Sequence, residues 1–260
     1  MDRDRFRYPV LVHGFTGSAA SWGEGIVDGL AGAGLTPVLV DLPGHGRYAE
    51  AGTTPGAART IALADALAVI AAATGDDRAD VVGYSMGGRI ALHFAAAHPE
   101  RVRRLVLESA SPGLASEAER AVRRASDEAL AELLVAEGVD AFVERWEAQP
   151  LFDSRASVDA RELARQRELR LLNDPGQLVA ALRGLGTGAL PSLWERLGDI
   201  SIPTLLVVGA LDRKFVEIAK RMASALPHAE IVEVRGAGHT VHLERPAEWL
   251  TAVTSFLAGT

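Results

Sequence analysis

Val81-Val82-Gly83-Tyr84-Ser85-Met86-Gly87-Gly88-Arg89 decides how this chain is read. A β-branched run meets a serine flanked by glycines, and a helical pattern follows through Ile90-Ala91-Leu92-His93-Phe94. This is the G-x-S-x-G arrangement of a nucleophile elbow, which requires a strand before it and a helix after it. The glycines admit a tight turn that a Cβ would obstruct. Such a turn lifts the Ser85 hydroxyl to the end of a sheet, beside a helix N-terminus where negative charge is stabilised.

Outward from the elbow, short apolar runs alternate with longer amphipathic ones. That pattern predicts a mostly parallel sheet with crossover helices, an α/β fold. Strands are expected near 8–13, 36–40, 79–84, 102–109, 204–209 and 231–235. Helices are expected near 20–33, 58–74, 86–98, 216–225 and 247–257. The alternation breaks between 113 and about 199, where Ala/Glu/Arg/Leu-rich segments have helical spacing and no strand-like run. The expectation is a core of 1–112 and 200–260 with residues 113–199 inserted as a helical cap over the catalytic edge, where it would exclude water.

Composition narrows the class. A length of 260 residues suits one such domain with an insertion, and 48% apolar residues suffice for a large core. A formal net charge of −7 argues against nucleic-acid or anionic-membrane binding. Cysteine is absent, which excludes disulfides, thiol catalysis and thiolate metal sites, and agrees with a reducing cytoplasm. The N-terminal Met-Asp-Arg-Asp-Arg-Phe-Arg-Tyr has no apolar signal core, and no uncharged run is long enough to span a bilayer. A cytoplasmic protein without membrane insertion, metal or cofactor is expected; oligomeric state is not readable.

A serine hydroxyl is a poor nucleophile until a neighbouring base takes its proton. Arg235-Gly236-Ala237-Gly238-His239 ends the last strand in a glycine loop, and Leu206-Val207-Val208-Gly209-Ala210-Leu211-Asp212 ends the one before it. The order Ser85, Asp212, His239 is that of α/β-hydrolases, with Asp212 holding one imidazole tautomer. An aspartate in that position is also a common helix N-cap. The oxyanion hole is expected from the amides of Met86, after the nucleophile, and Phe15, in the loop Val12-His13-Gly14-Phe15-Thr16-Gly17. His13 and His45 read as loop-stabilising histidines. His242 reads either as a substrate contact or as a surface residue, and no third ligand turns His239 and His242 into a metal site.

Several segments then narrow the resemblance: Gly-Tyr-Ser-Met-Gly-Gly-Arg at the elbow, Leu107-Glu108-Ser109-Ala110-Ser111-Pro112-Gly113-Leu114, Trp146-Glu147-Ala148-Gln149-Pro150-Leu151-Phe152, Gly209-Ala210-Leu211-Asp212-Arg213-Lys214-Phe215, and Gly238-His239-Thr240-Val241-His242. From about Val10 onward the chain resembles the 2-succinyl-6-hydroxy-2,4-cyclohexadiene-1-carboxylate synthases of menaquinone biosynthesis. The resemblance implies elimination of pyruvate from a cyclohexene bearing three carboxylates. The triad would act as a base and the oxyanion hole would stabilise an enolate.

A tricarboxylate requires cations, and arginine binds carboxylate bidentately. The resemblance implies Arg89, Arg123 and Arg167 as carboxylate ligands. Lys214, two residues after Asp212, is within reach of the pocket, and Tyr84 and Trp146 read either as covering the ring and oxyanion or as core aromatics. Arg120, Arg124, Arg165 and Arg170 are further cap arginines, which on alanine-rich helices usually face solvent; the crowding at 161–175 leaves the register there open by a turn. One departure is expected: members of the wider α/β-hydrolase superfamily commonly begin with an antiparallel strand pair before the oxyanion-loop strand, for which few residues precede Tyr8. Two other readings stay open: an esterase, lactonase or carbon–carbon bond hydrolase using the same triad, and a ligand-binding protein without turnover.

Overall fold

The computed structural model describes residues 8–46 and 60–259. The charged N-terminal octapeptide, apart from Tyr8, and the first residues of the helix expected from 58 lie outside them.

The chain runs β1 (Pro9–Val12), α1 (Gly23–Gly32), β2 (Val38–Val40), α2 (Leu63–Thr74), β3 (Ala79–Tyr84), α3 (Met86–Ala97), β4 (Val102–Glu108), α4 (Glu117–Glu147), α5 (Ala160–Leu171), α6 (Pro175–Leu185), β5 (Thr204–Gly209), α7 (Arg213–Ala225), β6 (Ala229–Val234), α8 (Val241–Glu244) and α9 (Pro246–Ala258). The six strands form one sheet in the order β2-β1-β3-β4-β5-β6, and every neighbouring pair is parallel.

Both faces of the sheet are covered, which explains the unbroken apolar runs of the inner strands. Successive side chains point to opposite faces. Val10, Val81, Leu105 and Leu206 join one core with Ile70 of α2, Ile90 of α3 and Met222 of α7. Their neighbours Leu11, Val82, Val106 and Leu205 join a second core with Leu30 of α1 and Trp249 of α9. At about 25 cal/mol per Å², these two layers provide the main driving force for the fold.

Between β4 and β5 the described residues contain helices and no strand. α4 is broken at Gly138, whose φ of 81° interrupts the helical backbone. Leu134, Phe142, Leu178 and Val179 of α4 and α6 close a third, smaller core. No helix among the described residues is long and apolar enough to cross a membrane.

Topology places the site. β1 lies between β2 and β3, so the chain leaves β1 in one direction and returns on its other side at β3. The loops after these two strands face each other across a switch point, where ligands of open α/β sheets bind. Val12 pairs with Gly83 in register, which sets the Phe15 loop beside the elbow.

Candidate active site

Ser85 sits between β3 and α3 with φ 53° and ψ −112°. A non-glycine residue holds such a backbone only where its surroundings impose it. Here the Ser85 N–H donates to the Glu108 carbonyl at 2.8 Å, and two glycines allow the approach. A Cβ on Gly83 would lie 2.5 Å from the Gly88 Cα, and one on Gly87 would lie 2.7 Å from the Val12 carbonyl carbon.

The structure joins Ser85, His239 and Asp212 in one hydrogen-bonded chain. His239 Nδ1 donates to Asp212 Oδ2 at 2.7 Å, which leaves Nε2 to accept from the Ser85 hydroxyl at 3.0 Å. Asp212 fills both roles considered for it, because its Oδ1 accepts from the Phe215 N–H at 3.3 Å and caps α7. Phe215 packs edge-on against the imidazole at 4.6 Å, and His239 is buried. This chain can take a proton from Ser85, or through Ser85 from a bound molecule.

Phe15 and Met86, whose amides are the expected oxyanion donors, both line the same cavity. Among the described residues neither amide meets a hydrogen-bond acceptor. Met86 begins α3, so the helix dipole reinforces its N–H toward a developing oxyanion.

His13 and His45 brace this floor. His13 Nδ1 donates to the Gly14 carbonyl at 2.7 Å, while its Nε2 accepts from the Leu42 N–H at 3.0 Å, so the ring is neutral. Burial lowers its pKa and pushes that of His45 down to about 3.

A cavity of about 220 Å³ opens above Ser85. Tyr84, Arg89, Arg123, Trp146 and Lys214 all line it. Trp146 stacks on Phe142 and meets Phe15 edge-on at 5.2 Å. Arg89 is buried, donates one N–H to the Leu185 carbonyl at 3.1 Å and leaves Nε without a partner. Burial, with Arg123 nearby, lowers its pKa to about 10. Arg123 pairs with Asp127 at 2.7 Å, whereas no carboxylate among the described residues pairs with Arg89. Lys214 is exposed, at the rim.

Arg167 is a correction. It does not line the cavity; its side chain is 41% exposed and pairs with Glu147 at 2.7 Å. Helix phase is the reason: Gln166 and Arg170, one turn apart, present α5 to the cavity, and Arg167 lies about 100° around from Gln166. Arg170 shares the Glu147 carboxylate at 2.8 Å. Its pKa is lowered by burial and then by Arg155.

Sequence reasoning missed Arg155, which lies in a short 3₁₀ segment with no periodic signal. The surface reading of His242 also fails: the ring is buried and pairs with the fully buried Glu108 at 2.8 Å, stacking near Trp22. These two partners are 134 residues apart, so no local pattern announces them.

The family described as alpha/beta hydrolase fold matches residues 10–246. A Bacillus subtilis (strain 168) relative, provisionally named a 2-succinyl-6-hydroxy-2,4-cyclohexadiene-1-carboxylate synthase, is 40% identical over 96% of this chain and 90% of its own. The Salmonella schwarzengrund (strain CVM19633) synthase of that name is 33% identical over 95% of this chain and 92% of its own. The solved structure of MenH from S. aureus superposes with a TM-score of 0.90 at 32% identity, covering 99% of this chain and 96% of that one. The chain therefore belongs to the 2-succinyl-6-hydroxy-2,4-cyclohexadiene-1-carboxylate synthases of the alpha/beta hydrolase fold.

Proposed function

We propose that this protein is a lyase of menaquinone biosynthesis that eliminates pyruvate from 2-succinyl-5-enolpyruvyl-6-hydroxy-3-cyclohexene-1-carboxylate. Residues 113–199 act as the cap that closes over the substrate. The observation that carries the reading is an aligned Ser85–His239–Asp212 chain facing buried guanidinium groups in a protein of net negative charge. A neutral ester leaves those cations without a counter-charge, whereas a tricarboxylate supplies it.

The ring proton α to the succinyl ketone is the acidic one. Ser85 Oγ takes it while passing its own proton to His239 Nε2, and Asp212 stabilises the imidazolium. The ketone oxygen becomes an enolate, held by the Phe15 and Met86 amides; each donor contributes about 3 kcal/mol of barrier lowering. Electrons then return through the ring. The 3,4 double bond moves to the 4,5 position, a new one forms at 2,3, and the bond from carbon 5 to the enolpyruvyl oxygen breaks. The leaving enolate is protonated to pyruvate. No acyl-enzyme forms.

Pyruvate release from substrate generated in situ, followed beside the absorbance of the conjugated diene, tests this. Wild-type release far above the spontaneous rate is expected, with a loss of at least about 10³-fold in Ser85→Ala. Undiminished turnover in Ser85→Ala would remove the serine relay, and no wild-type release would remove the reaction.

A further inference from the structure

The strongest unassigned feature of the cavity is Arg155. Its side chain is buried, with 8% exposure, yet no carboxylate among the described residues lies within ion-pairing distance. The nearby Glu147 is taken by Arg167 and Arg170. A buried guanidinium without a counter-ion is costly and persists where function supplies one.

The group is held in place. Its Nε and Nη2 donate to Thr240 Oγ1 at 3.0 and 2.8 Å, and it lies 3.8 Å above the Phe152 ring. Two of its five N–H donors are thereby used, and three remain for the cavity it lines. Thr240 follows His239 directly, so this cation sits on the imidazole side of the site, whereas Arg89 approaches from the first turn of α3.

The contacts also fix a proton. Both lone pairs of Thr240 Oγ1 accept from Arg155, so its hydroxyl hydrogen points to Tyr84 Oη at 3.1 Å. The Tyr84 phenol is then an acceptor toward Thr240, and its own proton is available to the cavity. Burial raises the phenol pKa, which keeps that proton in place.

We propose that Arg155 is a further substrate-binding residue, taking one substrate carboxylate on the His239 side while orienting Thr240 so that Tyr84 donates into the cavity. The proposal rests on the reaction assigned above.

Its test separates binding from turnover. Calorimetric titration with 2-succinylbenzoate and with pyruvate presents all three kinds of carboxylate without chemistry. Wild type is compared with Arg155→Met, which keeps an apolar stem on Phe152, and with Arg155→Gln, which can still donate to Thr240. At least one of the two probes is expected to bind about 10- to 100-fold more weakly to both variants. In steady-state pyruvate release, KM should rise by a similar factor while kcat falls by less. Unchanged affinity for both probes in a folded variant overturns the proposal. If wild type releases no pyruvate but the affinities still fall, the reaction is wrong and the carboxylate site at Arg155 stands. Should the methionine variant fail to fold, the glutamine variant decides on the same readouts.

Discussion

The carboxyl edge of the sheet and the helical stretch above it solve opposite problems. At the edge, backbone meets backbone and the site is fixed by sterics: Gly83, Gly87 and Gly88 are small because main chain lies where their side chains would be. In the helical stretch, long charged side chains do the positioning, and their effect depends on which are paired. The edge has stability built into its chemistry. The helices carry cations whose burial opposes stability and, under the proposed function, serves binding.

The largest effect should come from the edge. Gly83→Ala forces a methyl onto the Gly88 backbone, and neither strand nor helix can move without breaking β3 or α3. A loss of more than about 4 kcal/mol is expected, read as a fall in Tm or as insoluble protein. A normal melting curve for this variant would mean that the elbow tolerates expansion, and that sterics do not distinguish the two regions.

Arg89→Met asks the same question of a buried cation that the edge itself carries, on the first turn of α3. The guanidinium is buried, lacks a carboxylate partner and has its pKa depressed to about 10. Replacing it with an apolar chain should lower kcat/KM by about 100-fold or more, while Tm holds or rises by the equivalent of about 1 kcal/mol. A variant that loses stability and activity together would place Arg89 among the structural residues.

This contrast also explains what the sequence could show. β3, β4 and β5 are legible because both faces are buried, so apolar runs and strands coincide. The elbow glycines and the Ser85, Asp212, His239 order are local patterns read along the chain. The arginines are different. Their roles depend on helix phase, as for Arg167 and Arg170, or on partners far away, as for Arg155 with Thr240, 85 residues on. His242 with Glu108 is the same case. Residue type and spacing report periodicity, whereas pairing across the cavity is a tertiary property.

Acid should affect the edge through its buried histidines. His45 has a folded-state pKa near 3 against an ordinary 6.5, and His93 is lowered to about 4, both mainly by burial. Because the folded values lie below the unfolded one, the unfolded state binds more protons between about pH 3 and 6.5. Stability is therefore complete above pH 6.5 and falls as the pH drops through that window. From pH 6.5 to 5 each ring accounts for roughly 2 kcal/mol. Denaturant titrations should show this slope, flattened in His45→Asn; an unchanged slope would assign the acid sensitivity elsewhere.

The smallest effect is expected at Arg167, and the comparison with its neighbour makes it informative. Arg167 and Arg170 hold the two oxygens of Glu147, but only Arg170 lines the cavity. Arg167→Ala removes a partly exposed ion pair and leaves Glu147 its other partner, so stability should change by less than about 0.5 kcal/mol and KM by less than threefold. Arg170→Ala removes a buried donor from the cavity and should raise KM by about tenfold or more. Measured side by side, the two variants read the phase of α5. A larger KM effect at Arg167 would turn that helix by about 60° and return the carboxylate contact to the position the sequence resemblance first implied.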